Sequence, residues 1–164
     1  MKINANMRSL LEQHAISITA SDWFDDSYPI WQKTDSAGRK YWGVSAFWGL
    51  DQHPIYGNQD LSRLEWDGNE VCLEAQSDEE MTQILKRAIG IVCSWKRELE
   101  TKYPDVPFCI LASYDNGDLM INDGESPCRS VTLRFWADRG DNTVLDLGDF
   151  ENWEQPTIIE RCNV

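Results

Sequence analysis

From Met81 onward the apolar residues recur at steps of three and four: Met81, Ile84, Leu85, Ala88, Ile89, Val92, Trp95 and Leu99. That period puts them on one stripe of an α-helix, with Lys86, Arg87, Lys96 and Arg97 largely off it. Ser77 is a good N-cap, and Glu80 three residues later completes a capping-box pattern. Asp78, Glu79 and Glu80 suit the positive end of the helix dipole, and Pro104 stops the run near Lys102. The pattern therefore predicts one long amphipathic helix over about 78–102.

Elsewhere the pattern is that of strands joined by turns. Ile30 to Thr34 and Lys40 to Trp48 flank Asp35-Ser36-Ala37-Gly38-Arg39, a hairpin turn. Leu61 to Trp66 and Glu70 to Ala75 flank Asp67-Gly68 and read as a second pair of strands. Phe108 to Tyr114 runs into Asp115-Asn116-Gly117-Asp118, with Leu119-Met120-Ile121 beyond it. Ser130 to Trp136 alternates as a strand, and Thr143 to Leu147 reads as one more. A short helix over Met7 to His14, with Asn6 as its cap, is expected near the N-terminus. The sum is an α+β fold: a largely antiparallel sheet of hairpins packed against one long amphipathic helix, with a short N-terminal helix. There is no βαβ alternation, repeat, low-complexity tract or linker, so residues 1–164 are expected to form a single domain.

Charge narrows the class of partner. The chain has 164 residues, 15 Lys+Arg against 28 Asp+Glu, a net charge of −13 and a pI near 4.4, with 41% hydrophobic residues. That is a globular composition. Nucleic acid and anionic membranes are poor partners for it, because phosphate binding needs clustered Lys and Arg, whereas a basic protein is favoured. The excess is not spread evenly. Residues 60–80 carry eight acids and one base, and residues 115–164 carry eleven acids and four bases, so each block stands at −7. The intervening residues 81–114 stand at +2 and residues 1–59 at −1.

The N-terminal stretch MKINANMRSLLEQHAISI has no continuous apolar core, and no run approaches the roughly 18 apolar residues of a membrane span. Five cysteines at wide spacings, with no CxxC, do not read as a secreted disulfide framework. A cytoplasmic location is expected. Cys72, Cys93 and Cys109 sit in apolar contexts and are expected in the core, with Cys128 and Cys162 more exposed.

Motifs for chemistry are missing. His14 and His53 lie far apart and outside any HxxxH or HExxH pattern, and no G-x-S-x-G, P-loop or G-x-G-x-x-G occurs. The Asp115–Asp118 and Asp138–Asn142 turns hold oxygen ligands but do not match an EF-hand, and turn geometry alone asks for Asp, Asn and Gly. No carboxylate pair stands out for glycoside hydrolysis. The expectation is a protein with no catalytic residues, no metal and no cofactor.

Eight tryptophans are a heavy load for this length. Trp95 lies on the helix stripe, and Trp31, Trp42 and Trp136 lie on strands, where the core is the default. Three others stand beside acids and turns: Asp22-Trp23-Phe24-Asp25-Asp26, Phe47-Trp48-Gly49-Leu50-Asp51 and Asp149-Phe150-Glu151-Asn152-Trp153-Glu154. An aromatic ring among carboxylates suits a cationic partner, the ring giving buried area and the acids pairing with Lys or Arg. The candidate partner-binding residues are therefore Asp22, Trp23, Asp25, Asp26, Trp48, Asp51, Asp149, Glu151, Trp153 and Glu154.

In its size, its long helix against hairpin strands and stretches such as Asp149 to Glu154, the chain resembles the small, acidic, single-domain bacterial immunity proteins. These accompany the toxins of contact-dependent growth inhibition and other polymorphic toxin systems. The resemblance implies a cytosolic protein that binds a cognate toxin one-to-one and blocks its active site. A nuclease is the natural target, since its cleft must be positive to hold phosphates. Two other readings remain: a carbohydrate-binding or carbohydrate-processing domain, in which tryptophans stack on sugar rings, and a cytosolic adaptor whose acidity serves solubility.

Overall fold

Five strands pair antiparallel into a sheet of order Lys2–Ile3, Thr157–Cys162, Phe108–Asp115, Arg129–Ala137 and Val71–Ala75, and Trp31–Thr34 and Lys40–Gly43 form a separate hairpin. The structure is a computed structural model and describes residues 1–18, 24–44, 58–117, 129–140 and 144–164. In chain order the elements are β1 (Lys2–Ile3), α1 (Ala5–Gln13), β2 (Trp31–Thr34), β3 (Lys40–Gly43) and α2 (Asn58–Gly68). There follow β4 (Val71–Ala75), α3 (Asp78–Lys102), β5 (Phe108–Asp115), β6 (Arg129–Ala137) and β7 (Thr157–Cys162). The α+β class, the antiparallel sheet, the long helix and the short N-terminal helix are all as the sequence pattern predicts. Among the described residues no helix is long and apolar enough to cross a membrane.

α3 spans the predicted residues and is capped as expected. Ser77 Oγ accepts the Glu80 N–H at 3.2 Å, and a Glu80 carboxylate oxygen accepts the Gln76 N–H at 2.6 Å. The helix lies on one sheet face, against the strand residues of one parity: Leu73 on β4, Ile110 on β5, Leu133 and Phe135 on β6, and Ile158 on β7. Trp95 is 1% exposed and meets Phe135 edge-on at 5.2 Å. Its indole N–H donates to the Tyr28 carbonyl at 2.9 Å, tying residues 24–30 along α3. The opposite parity, Cys109, Leu111, Trp136 and Ile159, forms a second apolar cluster, with Trp66, Val144, Leu145, Leu147, Phe150 and Trp153 packed on it.

β1 was not anticipated, and four further elements differ from the pattern reading. Residues 61–66 are part of α2, not a strand, and the helix runs through Asp67-Gly68, which is therefore no hairpin turn. Among the described side chains the buried positions are Leu61, Ser62 and Glu65 on α2 and Asn69 just beyond its end, a helical spacing hidden because three of the four are polar. Residues 144–147 form no strand; their apolar side chains cover the second sheet face instead. β7 was not anticipated, although Thr157-Ile158-Ile159 is β-branched and follows Pro156. The α1 cap is Asn4, not Asn6. The expected strand residues 45–48, 119–121 and 143 lie outside the described residues, as do His53, Asp118, Cys128 and the last two residues of the Asp138–Asn142 turn.

The polar side of α2 performs a task that strands usually perform. Glu65 is fully buried, and its carboxylate accepts the Trp42 N–H at 3.2 Å and the Ala137 N–H at 2.8 Å. The Arg139 guanidinium grips the same carboxylate with both terminal nitrogens, at 2.7 and 2.9 Å. Asn69 accepts from Val44 N at 3.2 Å and donates to the carbonyls of Trp42 at 3.0 Å and Phe135 at 3.1 Å, while Ser62 donates to the Ala137 carbonyl at 3.0 Å. These three side chains satisfy backbone groups on the edges of both β3 and β6, so the hairpin and the sheet are joined through one helix. Burial pushes the Glu65 carboxyl above its ordinary range, opposed by Arg139 and the two backbone donors.

Two cysteines are placed opposite to expectation. Cys72 is exposed, because β4 alternates and position 72 has the outward parity. Cys162 is fully buried on β7, where burial pushes its thiol up to about 12, and Cys109 is pushed up to about 11 in the same way. Cys93 is half-buried on α3. Trp42 and Trp136 are buried as expected, whereas Trp31 is half-buried, edge-on to Tyr41 at 5.8 Å. Gly43 leaves room for it: an added Cβ would stand 2.1 Å from the Trp31 ring.

Candidate partner-binding face

α1 organises an open polar region of the described surface. Its cap, Asn4, is fully buried and uses all of its hydrogen-bonding capacity. Oδ1 accepts the Met7 N–H at 2.9 Å and the Thr157 N–H at 3.0 Å, and Nδ2 donates to the Trp153 carbonyl at 3.1 Å and the Gln155 carbonyl at 2.8 Å. Asn6 adds bonds to the carbonyls of Trp153 at 3.2 Å and Glu154 at 2.9 Å. The start of α1 therefore holds residues 153–157 in place, and with them Glu154.

Along α1 run two open depressions of about 860 Å³ each, which share Leu10, Gln13, Tyr114 and Asn116 and so form one groove. One half is walled by the first turn of α3 (Asp78, Glu79, Thr82) with His14 and Arg129. The other is walled by Asn6, Ser9, Asp115 and Glu154 to Pro156. The groove thus draws Asp78 and Glu79 from one acidic block of the sequence and Asp115 and Glu154 from the other. Glu151 stands next to it, paired with Arg8 on α1.

Hydrogen bonds order part of this wall. His14 Nδ1 meets Thr82 Oγ1 at 2.7 Å, and that hydroxyl also bonds the Asp78 carbonyl at 3.1 Å. A hydroxyl has one proton; given to the carbonyl, it leaves Thr82 as acceptor and His14 Nδ1–H as donor. Arg129 pairs with Asp78, and its hydrogen bond and charge hold the Asp78 carboxyl below the ordinary range. Glu79 and Glu154 are both exposed. Asp115 accepts the Gly117 N–H at 2.8 Å, and Gly117 and Gly140 adopt φ of 79° and 76°, so these Asp/Gly stretches are turns in the ordinary sense. Among the described residues no group of three or more His, Cys, Asp or Glu side chains is placed to hold a metal ion.

The sequence-derived candidates fall in different places. Asp25 and Asp26 lie on the segment along α3, away from the groove residues. Asp25 accepts from Arg87 Nε at 2.7 Å and from the Ser27 N–H at 2.9 Å, and Asp26 pairs with Arg97 at 3.1 Å. Burial works to raise the Asp25 carboxyl, but the bonds from Ser27 and Arg87 outweigh it and the net shift is downward. Asp149 is exposed and accepts the Asn152 amide at 2.7 Å. Trp153 is half-buried, edge-on to Phe150 at 5.2 Å, and both rings cover the second sheet face. Asp22, Trp23, Trp48 and Asp51 lie outside the described residues. Asp78 and Glu79 read in sequence only as helix-start acids and Asp115 only as a turn residue, not as partner contacts. Their only signal was membership of the two −7 blocks, and nothing in a linear pattern says that those blocks meet.

Compared with family models, curated proteins and solved structures, the chain matches none.

Proposed function

We propose that the protein is a non-catalytic, cytoplasmic binding protein that neutralises a cognate basic protein by covering its active site, in the manner of an immunity protein. The observation that carries this reading is the convergence of both acidic blocks on the α1 groove. Asp78, Glu79, Asp115 and Glu154 come from segments far apart in sequence, and Asp78 alone among them is paired with a groove cation. A surface of that sign speeds encounter with a positive cleft and discriminates against acidic partners. A nuclease fits as the target, because its own substrate obliges its cleft to be positive. The described tryptophans Trp66, Trp42 and Trp153 pack on Trp136, Phe108 and Phe150, so stacking on sugar rings receives less support than charge pairing.

The test is affinity capture from the native cytoplasm at low salt, followed by binding kinetics and a nuclease assay on what is retained. The expected result is a one-to-one complex with a basic protein whose nuclease activity is lost on binding. Glu79→Lys with Glu154→Lys should slow association by about tenfold or more at low salt, with the difference shrinking as salt is added. Asp105→Lys, beyond the far end of α3, is the control and should change association little. Retention of no basic protein, or equal effects of the groove and control changes, would refute the proposal.

A further inference from the structure

The two neighbours at the β4 side of the sheet are treated differently. Where β6 runs past β4, its edge is closed by α2, through Asn69 on the Phe135 carbonyl and Glu65 and Ser62 on Ala137. β4 itself pairs with β6 through Val71 to Ala75 on one side only, and among the described residues no backbone group bonds its outer side. In an antiparallel strand every second residue directs its N–H and C=O away from its partner, so the outer side of β4 presents a row of free donors and acceptors. The opposite edge of the sheet, β1, is only two residues long.

We infer that the free edge of β4 receives an extended, Lys- or Arg-bearing segment of the partner as a sixth strand. This rests on the reading of the protein as a binder of a basic protein. Main-chain hydrogen bonds would supply attachment, and side-chain charge the selection. Between Arg63 and Lys86 the chain carries seven acids and no base. Glu65, Asp67, Glu70 and Asp78 pair with Arg139, Arg63, Arg134 and Arg129, which leaves Glu74, Glu79 and Glu80 without a cation among the described residues. Glu74 is exposed towards the end of β4, whereas Glu70 at its start is paired with Arg134 on β6. A second copy of this chain would set the same negatively charged edge against itself, which is unfavourable, whereas a cationic strand meets Glu74 with opposite charge. β4 also leads within three residues of its last position into Asp78 and Glu79 of the groove wall. A segment seated on β4 is thereby delivered to the proposed binding face.

The experiment is residue-resolved amide exchange of the full chain, followed by NMR. The probe is a short blocked peptide of alternating Lys and Val, with an alternating Glu and Val peptide and an N-methylated Lys-Val peptide as controls. With the first peptide at saturation, every second amide within 71–75 should slow by about tenfold, equal to about 1.4 kcal/mol. The two controls should leave those amides unchanged. If no alternate amide slows, the acidic edge is a guard against pairing and the inference is overturned. It is overturned equally if the amides slow with protein concentration alone, since a second copy is then the occupant. Failure of the functional reading is separate. A basic partner that depends on Glu79 and Glu154 yet leaves β4 exchange unchanged removes only the added strand, and peptide protection of β4 without any basic partner removes only the function.

Discussion

Replacing Arg139 by Met tests the joint that holds α2, β3 and β6 together. Arg139 contributes both terminal nitrogens to Glu65, which is fully buried, while the Arg139 side chain is itself only 16% exposed. Met preserves much of the stem volume and removes the charge, leaving a buried carboxylate with two backbone donors and no counter-ion. Breaking one side of such a pair costs about 3–5 kcal/mol, a large fraction of the total stability of an ordinary domain. For a chain of this size that corresponds to a fall in Tm of roughly 6–20 °C. The companion change Glu65→Leu removes the carboxylate but orphans the Trp42 and Ala137 N–H groups, each at about 1–3 kcal/mol. The double variant contains no buried unpaired charge, so its cost should fall well below the sum of the two single changes. Urea denaturation followed by circular dichroism at pH 7 measures all three. The pH dependence of Arg139→Met gives a second check. Without Arg139 the folded carboxyl lies further above its ordinary value of 4.5 than in the parent protein. The unfolded chain then releases its proton at lower pH than the folded one, so stability is lost as pH rises above about 4.5 and recovers on acidification from 7 towards 5. A cost under about 1 kcal/mol, the size of an exposed ion pair, or strict additivity of the two changes would refute the reasoning.

Two further outcomes follow from burial and capping. Treatment of the native protein with iodoacetamide should modify Cys72 first and leave Cys109 and Cys162 intact until denaturant is added, because burial raises both thiols and denies access; peptide mapping that finds Cys162 modified in the folded protein would contradict its placement. Asn4→Ala should cost about 2–4 kcal/mol in urea denaturation, combining loss of the α1 cap with an orphaned Thr157 N–H, whereas Asn6→Ala should cost under about 1 kcal/mol because its bonds are exposed.

Elements whose apolar residues carry the right period were readable in advance. α3 has a stripe, a cap and a stop, so its limits follow from local chemistry. β6 alternates, β5 opens on a continuous apolar run that stops at a turn, and the hairpin turn before β3 has its Asp35 and Gly38. α2 was misread because its inward side is Ser62, Glu65 and Asn69, residues that are buried only because β3 and β6 offer them backbone partners. Residues 144–147 were misread for the converse reason: their apolar spacing suits a strand, but they cover a sheet face instead. Asn6 and Asn4 are equally good caps by type. Both reach the Trp153 carbonyl, but Asn4 alone also bonds Thr157 and Gln155, which lie some 150 positions away in the chain.

The candidate site divides along the same line. That the chain should favour a cation over a phosphate was contained in its composition, since net charge is a sum over residues and needs no geometry. Which carboxylates remain available is a different matter. Asp25 and Asp26 look like open acids in sequence, yet α3 presents Arg87 and Arg97 to them, and Trp153, which reads as an exposed ring, lies on a sheet face. Asp78, Glu79, Asp115 and Glu154 share a groove only because Asn4 pins residues 153–157 beside α1 and because β5 ends next to the start of α3. The sequence by itself determined the sign of the surface and the periodic elements, both being local or additive. Tertiary structure alone decided which charges are already paired, which polar residues lie inside, and which strand edge stays open, because each depends on what the fold brings alongside.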